Sequence, residues 1–205
     1  MLANNTLTIA PSIFKRTLKL MGTRFEISIL ADEEDEGWAN NCIDASIDEI
    51  QRIEQLLAAV SNNSQVYQLN ANAGIKPIKV SREIFNLIQR CVKMSESSQG
   101  SFDISYKAIN KRFWNFGTRL KTPSRETLSK KNARRISYKN IILDKEHSTV
   151  FLKEKRMRIG FDAIKKEYAT ERAKYILKQN GVESGTINAG GDLTVWSDHQ
   201  DAKLY

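Results

Sequence analysis

The sequence predicts a fold that combines α-helices with β-strands, because two different hydrophobic periods recur along its 205 residues. Over residues 16–30 and 136–161, apolar residues alternate with polar ones, as they do in half-buried strands. Three longer segments place apolar residues three or four positions apart, as amphipathic helices do. The length is sufficient for one substantial domain or for two small ones.

The first strand segment, residues 16–30, contains an internal break. Leu18, Leu20, Phe25 and Ile27 follow the alternation, but the sequence MGT at 21–23 interrupts it. A glycine inside a strand pattern marks a bulge or a close approach by another group.

Two further segments are predicted to form strands. ISYKNIILDKEHSTVFLKEKRMRIGF, residues 136–161, contains three alternating runs, and the first two are predicted to form a hairpin around residues 144–148. GTINAGGDLTVW, residues 185–196, is a strand pattern with two glycines inside it. Paired glycines allow either a close approach by a ligand or a bulge at a bend of the sheet, and both readings remain open here.

Three helices are predicted over residues 38–59, 82–98 and 163–179. Ser81 and Asp162 are the predicted N-caps of the second and third helices. The third helix carries Lys165 and Lys166 in its first turn, where the helix dipole is positive and favours acidic side chains. Either both lysines point into water, or this turn faces an anion such as a phosphate.

Composition excludes several classes of protein. The chain is 40% hydrophobic and 27% charged, which is ordinary for a globular domain. It contains no apolar run long enough to span a membrane, and no signal peptide is recognised, so a cytoplasmic location is expected. The two cysteines and two histidines form no motif for a disulfide framework, a metal cluster or a catalytic triad.

A basic segment raises the alternative of a binding protein. The net charge is +8, and between Lys107 and Lys139 there are eleven Lys or Arg residues with Glu126 as the single acid. Such a stretch binds nucleic acid, binds an acidic partner or forms a solvated surface. It lacks regularly interleaved aromatic residues and any nucleic-acid-binding motif, so a solvated surface is favoured and no nucleic-acid partner is expected.

Six short motifs together resemble one family. They are MGTRFEI at 21–27, SQVYQLN at 64–70, GSFDIS at 100–105, FWNFG at 113–117, IGFDAIKKEYATERA at 159–173 and INAGGDL at 187–193. Each motif alone is weak, but in this order and spacing they resemble the ApbE family, the FAD:protein FMN transferases. The resemblance covers residues 16–205, and residues 1–15 are assigned to an N-terminal extension, for which disorder is one reading.

The resemblance implies an α+β fold in which mixed or antiparallel sheets are flanked by helices, an architecture called T-fold-like. It implies that FAD is the substrate, that Mg²⁺ is the metal, and that FMN passes to a Ser or Thr hydroxyl of a target flavoprotein while AMP is released. Members of the family are often periplasmic or anchored to a membrane. The oligomeric state is not predicted.

The resemblance also carries candidate site residues onto this chain. Met21 and Gly22 match the segment that lies against the flavin, and Lys166 matches the polar residue that opens the third helix near the cofactor. Ala163 matches the small residue whose backbone carbonyl binds the metal. The candidate FAD-binding residues that follow the second helix are Ser101, Phe102 and Asp103.

The sequence departs from the family pattern next to Lys166. Family members usually read GKGYA where this chain reads KKEYA, so Lys165 and Glu167 replace two glycines. Both side chains add bulk, and Glu167 adds a negative charge, so restoring glycine at both positions is expected to strengthen FAD binding.

The chain is also expected to be an incomplete domain, because family members usually continue past the point where it ends. Two readings remain open: a transferase whose metal site depends on further residues, or a non-catalytic, truncated relative that binds flavin or is degraded. The chain alone is expected to transfer little or no FMN.

Overall fold

The structure is a computed structural model, and it describes residues 12–59, 61–105 and 137–197. In chain order its strands and longer helices are β1 (Ser12–Leu20), β2 (Thr23–Ala31), α1 (Glu36–Leu56), α2 (Gln65–Ala71), β3 (Ile78–Lys79), α3 (Arg82–Ser97), β4 (Ile141–Asp144), β5 (Thr149–Leu152), α4 (Lys165–Gln179), β6 (Ser184–Ala189) and β7 (Asp192–Ser197). The chain divides into two compact units. The first unit combines Met1–Glu54 with Asp162–Tyr205, and the second unit is Gln55–Phe161.

The first unit is built on a four-stranded antiparallel sheet with the strand order β1-β2-β6-β7. Its centre is apolar on one face, because the alternation in β2 places Phe25, Ile27 and Ile29 there, all fully buried. Ile187 of β6 pairs with Ile27 in the same layer. The other face carries polar residues such as Glu26 and Asn188, which are also paired.

Both glycine-containing breaks in this sheet are tight hairpin turns. Met21 and Gly22 have φ values of 51° and 79°, and Leu20 pairs with Thr23 on either side of them. Two consecutive residues with positive φ form the turn that best fits the twist of an antiparallel hairpin. The predicted bulge in residues 16–30 is therefore wrong, because a reversal of the chain separates two strands there.

The turn between β6 and β7 has the same form. Gly190 and Gly191 have φ values of 63° and 102°, and Ala189 pairs with Asp192 across them. The glycines therefore reverse the chain rather than form a bulge at a sheet bend. At the other end of the sheet, β1 begins at Ser12, so residues 12–15 of the predicted extension belong to the sheet, while residues 1–11 lie outside the described residues.

Helices α1 and α4 belong to the first unit, and each buries one stripe. The buried residues of α1 are Ala39, Cys42, Ile43, Ser46, Ile47, Glu49, Ile50 and Ile53, and those of α4 are Ala169, Thr170, Ala173 and Leu177. The predicted helices over residues 38–59 and 163–179 are thus confirmed with shifts at their ends. Gly181 follows α4 with a φ of 89°, as a glycine after a helix commonly does.

The predicted N-cap of α4 is wrong. Ile164 occupies that position, and no side chain caps the first turn. Asp162 lies two residues further back, in the turn before the helix, where its carboxylate is 3.9 Å from the Lys165 ammonium. The sequence offered Asp162 as the nearest capping side chain, but the chain enters the helix two residues later.

The second unit packs α2 and α3 with a three-stranded sheet of order β3-β5-β4. Ser81 caps α3 as predicted, because its hydroxyl accepts a hydrogen bond from the Ile84 N–H at 3.3 Å. The predicted hairpin around residues 144–148 is confirmed, since Asp144 pairs with Thr149 across its turn. β3, Ile78–Lys79, is a strand of two residues.

The third alternating run of residues 136–161 is buried but does not form a strand. Met157, Ile159 and Phe161 point into the core, as an alternating pattern predicts. The backbone of Ile159 pairs with a side chain instead of a strand: its N–H donates to Asn70 Oδ1 at 2.8 Å and its carbonyl accepts from Asn70 Nδ2 at 3.0 Å. The alternating pattern predicts which side chains are buried. It does not predict which group forms the hydrogen bonds of the backbone N–H and C=O groups.

The prediction of an α+β fold with antiparallel sheets flanked by helices is confirmed for the described residues. The FWNFG motif at 113–117 and residues 107–136 of the basic segment lie outside those residues. Among the described helices, none has the length and apolar character required to cross a bilayer.

Candidate functional site

The amino end of α4 places Lys166 against the turn between β6 and β7. The Lys166 ammonium lies 2.6 Å from Asp192 Oδ2 and 3.5 Å from the carbonyl oxygen of Ala189. This ion pair joins two motifs that are 26 positions apart in the sequence. Both lysines in the first turn of the helix therefore have a negatively charged neighbour within the protein, Lys166 in Asp192 and Lys165 in Asp162, which offsets the unfavourable helix dipole.

The turn that carries Asp192 is held on both sides. The Gly190 N–H donates to the Arg24 carbonyl at 2.9 Å, and the Gly191 N–H donates to Asn188 Oδ1 at 2.9 Å. A Cβ atom at Gly190 would collide with the Thr23 hydroxyl, so this glycine is required by a close approach as well as by its φ. The carboxylate of Asp192 is thus presented by a turn with a defined geometry.

A shallow polar cleft of about 260 Å³ lies on the other face of the sheet beside this turn. It is lined by Arg24, Glu26, Asn188, Gly190 and Gly191. Arg24 is 3.1 Å from Glu26, and the pKa of Glu26 is lowered, first by its hydrogen bond with Lys15 and then by Arg24. The opposite charges of Arg24 and Glu26 in this cleft therefore partly neutralise one another.

Met21 and Gly22 form the turn between β1 and β2. The Met21 N–H donates to Glu54 Oε2 at 3.3 Å, its side chain is buried, and a Cβ at Gly22 would meet open space. Methionine is an unusual residue at a φ of 51°, where glycine or asparagine is favoured. Backbone strain of this kind is concentrated at functional sites. The φ of Met21 therefore adds a structural argument for Met21 as a cofactor-binding candidate.

Ala163 is the candidate metal ligand, and it is exposed in the turn before α4. Its backbone carbonyl provides one oxygen, whereas Mg²⁺ requires an octahedral set. In residues 12–59, 61–105 and 137–197, no three His, Cys, Asp or Glu side chains form a group that could hold a metal ion. The described residues therefore do not fit a Mg²⁺ site by themselves.

The remaining candidates, Ser101, Phe102 and Asp103, lie in the second unit directly after α3. Asp103 uses both carboxylate oxygens on backbone groups: Oδ1 accepts from the Ser105 N–H and Oδ2 from the Tyr138 N–H, each at 2.8 Å. Tyr138 is 35 positions further along the chain. The Asp103 carboxylate therefore links the backbone after α3 to the backbone at Tyr138.

Ser101 and Phe102 are held by the residue that ends α3. The Phe102 N–H donates to Ser98 Oγ at 3.1 Å, and the Ser101 N–H donates to the Ser98 carbonyl at 3.0 Å. Ser101 is exposed and Phe102 is partly exposed, so both side chains are available to a ligand at this bend.

The candidate residues thus form two groups. Met21, Gly22, Ala163 and Lys166 belong to the first unit, and residues 101–103 belong to the second. Sequence reasoning missed the partner of Lys166, because nothing in the spacing shows that Asp192 reaches it. No signal in the sequence points to this pair, because folding alone brings Asp192 next to Lys166.

Comparison with known proteins places this arrangement in a family. The family model named ApbE matches residues 21–204. The chain belongs to the ApbE family. The prediction made from the six motifs is confirmed, and Met21, at which the match begins, is one of the residues that those motifs singled out.

Curated relatives of this ApbE family member carry a functional name. The FAD:protein FMN transferase of Klebsiella pneumoniae (strain 342) is 31% identical over 144 residues, which are 70% of this chain and 45% of that protein. The protein of the same name from Treponema pallidum (strain Nichols) is 27% identical over 149 residues, which are 70% of this chain and 41% of that protein. The chain spans less than half the length of these two curated relatives.

Solved structures show the same fold. The ApbE protein of Thermotoga maritima superposes with a TM-score of 0.77 at 22% identity, over 90% of this chain and 59% of that one. The flavinyl transferase ApbE of Pseudomonas stutzeri, in its apo form, gives a TM-score of 0.72 at 19% identity, over 90% and 59% of the two chains. At these identities the likeness supports the fold.

Proposed function

We propose that the chain acts as an FAD:protein FMN transferase, which moves FMN from FAD to a Ser or Thr hydroxyl of a target flavoprotein. The observation that carries this proposal is the family match over residues 21–204. The relatives that share this match and are named for the reaction support it. The local geometry is compatible, since Lys166 lies at the amino end of a helix, where an anion is favoured.

The reaction is a transfer of a phosphoryl group. The acceptor hydroxyl oxygen bonds to the FMN phosphorus of FAD, the bond from that phosphorus to the bridging oxygen breaks, and AMP leaves with that oxygen. The hydroxyl proton passes to solvent or to a base that the described residues do not identify. In reactions of this class, catalysis depends mainly on positioning and on the stabilisation of pyrophosphate charge.

Lys166 is the residue of this chain that we assign to pyrophosphate binding. An ammonium has three N–H donors, and the contacts with Asp192 and Ala189 use two of them. The third remains for a phosphate oxygen. Met21 and Gly22 are proposed to contact the flavin, and Ser101, Phe102 and Asp103 are proposed to bind FAD.

We also propose that the reaction requires Mg²⁺. This part of the proposal rests on the family resemblance, because the described residues do not form a metal site. The carbonyl of Ala163 is the one ligand assigned to it here. Addition of a chelator is expected to abolish transfer, and excess Mg²⁺ is expected to restore it.

The test is a transfer assay with the purified chain, FAD, Mg²⁺ and an acceptor flavoprotein. Covalent flavin on the acceptor, followed by fluorescence after denaturing electrophoresis, and stoichiometric AMP are the expected products. Lys166→Met is expected to lower kcat/KM by about tenfold to about a hundredfold, because a charge-assisted hydrogen bond is lost.

Lys174→Met on the same helix is the control for that variant, because it removes an equal charge away from the amino end. Equal activity of the two variants would remove Lys166 from the site. Absence of covalent flavin, on an acceptor that another family member modifies under the same conditions, would overturn the proposed function.

A further inference from the structure

We propose that Asp192 is a positioning residue, which holds the Lys166 ammonium where it meets the pyrophosphate of FAD. This inference rests on the proposed function and assigns a role to a residue that is not among the candidates carried over by the family resemblance. Asp192 does not itself touch the cofactor in this proposal. It acts through Lys166, whose ammonium lies 2.6 Å from its carboxylate.

Lys166 occupies an electrostatically unfavourable position. Its side chain stands in the first turn of α4, where the backbone N–H groups and the helix dipole repel a cation. A lysine on a flexible stem would leave this region for solvent unless something retained it. Asp192 and the Ala189 carbonyl provide the two retaining contacts.

The turn that carries Asp192 is held by hydrogen bonds. Its backbone pairs with Ala189 at the end of the hairpin, and the glycines between them are fixed by Arg24 and Asn188. The Asp192 carboxylate therefore projects from a turn whose backbone is constrained. A constrained acceptor fixes the position of the ammonium more tightly than a mobile surface acid would.

Asp192 has two opposing effects on the binding of a pyrophosphate: it positions Lys166, and its own charge repels the anion. Asp192 carries a negative charge, which would repel the pyrophosphate. Its side chain is 71% exposed, however, so water and salt screen that repulsion. The contact between Asp192 and Lys166 is direct, at 2.6 Å, and is therefore screened less than the longer-range repulsion of the pyrophosphate, so we expect positioning to dominate at physiological ionic strength.

The first experiment measures FAD binding by quenching of flavin fluorescence, with the full chain at about 0.15 M salt. Asp192→Ala is expected to weaken binding about twofold to fivefold, as the loss of an exposed ion pair does. Asp192→Asn keeps an oxygen acceptor for the ammonium, so it is expected to restore part of the affinity. Glu171→Ala, which removes an exposed acid from α4, is the control and is expected to bind FAD as the wild type does.

The effect of Asp192→Ala in the presence and absence of Lys166 distinguishes a positioning role of Asp192 from a purely structural one. In a Lys166→Met background, Asp192→Ala is expected to have no further effect on FAD affinity. In the transfer assay, Asp192→Ala is expected to raise KM for FAD more than it lowers kcat. Tighter or unchanged FAD binding in Asp192→Ala, or an equal effect in both backgrounds, would overturn the inference.

A second experiment needs no flavin. Lysine acetylation by acetic anhydride, read by mass spectrometry of peptides, is expected to be faster at Lys166 in Asp192→Ala than in the wild type, with Lys174 as the internal reference. An unchanged rate at Lys166 would overturn the inference. Failure of the wild type to bind FAD would overturn the proposed function and this inference together. If the wild type bound FAD and Asp192→Ala bound it with the same affinity, this inference alone would be overturned.

Discussion

Asp103 shows how a residue singled out by a motif has a structural task that the motif does not reveal. The resemblance assigns it to FAD binding, and in the structure both of its carboxylate oxygens accept backbone N–H groups, from Ser105 and Tyr138. Bonds from backbone N–H groups to a carboxylate are among the stronger hydrogen bonds in proteins. If mutation of Asp103 weakened FAD binding, the cause would be either the loss of a direct contact with FAD or the loss of the local structure that Asp103 stabilises.

Asp103→Ala is expected to lower the free energy of unfolding by about 2 kcal/mol, because two charge-assisted hydrogen bonds are lost at once. Asp103→Asn retains one acceptor oxygen and is expected to lose less. Urea denaturation followed by circular dichroism measures both. If Asp103→Ala left stability unchanged while FAD affinity fell, the carboxylate would be a direct ligand instead.

Lys165 and Glu167 flank the proposed phosphate-binding lysine. Replacing both by glycine is expected to strengthen FAD binding, because bulk and one negative charge are removed from the amino end of α4. The same change is expected to lower the free energy of unfolding by about 1 kcal/mol for each glycine in the helix. Titration of FAD into the double variant measures the first effect, and thermal unfolding measures the second.

Replacement of the same two residues by alanine is the matched comparison, since it removes the charges and most of the bulk while the helix keeps its stability. If neither double variant bound FAD more tightly than the wild type, the steric and electrostatic reading of KKEYA would be wrong.

At the scale of elements, α1 and α4 are joined by one carboxylate. Glu49 on α1 accepts a hydrogen bond from Arg52 at 2.7 Å and another from Arg172 on α4 at 2.8 Å. Its side chain is 9% exposed, so the charge depends on these two partners. The hydrogen bond from Arg52, followed by that from Arg172, lowers the pKa of Glu49 below its ordinary value of 4.5.

The lowered pKa of Glu49 predicts a pH dependence of stability. A carboxyl whose pKa is lower in the folded state contributes stability above its unfolded pKa and loses it as the pH falls through the folded pKa. Thermal stability is therefore expected to decrease as the pH falls from about 5, close to the unfolded pKa, towards the lower folded pKa of Glu49. Glu49→Gln is expected to cost roughly 1 kcal/mol at neutral pH and to flatten this decrease.

Calorimetric scans at several pH values measure that prediction. Glu171→Gln is a suitable control, because Glu171 is an exposed acid on α4 and its removal should leave the slope unchanged. A pH dependence identical in Glu49→Gln and the wild type would contradict the assignment of the effect to Glu49.

The elements also show what sequence patterns can and cannot predict. The stripe of α3 and its cap Ser81 were readable because both depend on local spacing. The hairpin turns at 21–22 and 190–191 were misread as breaks within strands, because period-two alternation continues on both sides of a two-residue turn. The pairings of Asn70 with Ile159 and of Lys166 with Asp192 could not be predicted, since tertiary folding alone brings those residues together.

At the scale of the whole molecule, the two cysteines are distributed one to each unit. Cys42 lies on α1 in the first unit and Cys91 on α3 in the second, and both are buried. Burial raises the pKa of Cys42, and it raises the pKa of Cys91 to about 12. Thiolate is the reactive form, so both residues are expected to resist alkylation in the native protein.

Each cysteine therefore serves as a probe of its own unit. With increasing urea, labelling at Cys42 is expected to follow unfolding of the first unit, and labelling at Cys91 that of the second, as identified by mass spectrometry. Single Cys→Ala variants supply the controls. Rapid labelling of either thiol without denaturant would show that the unit around it opens readily under native conditions.

The pairing of β2 with β6 has a consequence for synthesis on the ribosome. The second unit is continuous in sequence and is complete once residue 161 has emerged, whereas the first unit needs strand β6, which begins at Ser184. Until then, the edge of β2 that β6 will occupy has no partner from that strand, and such edges recruit other chains. The nascent protein thus passes through a stage in which its amino-terminal hairpin waits for residues translated more than 150 positions later, and this interval is where molecular chaperones would be most useful.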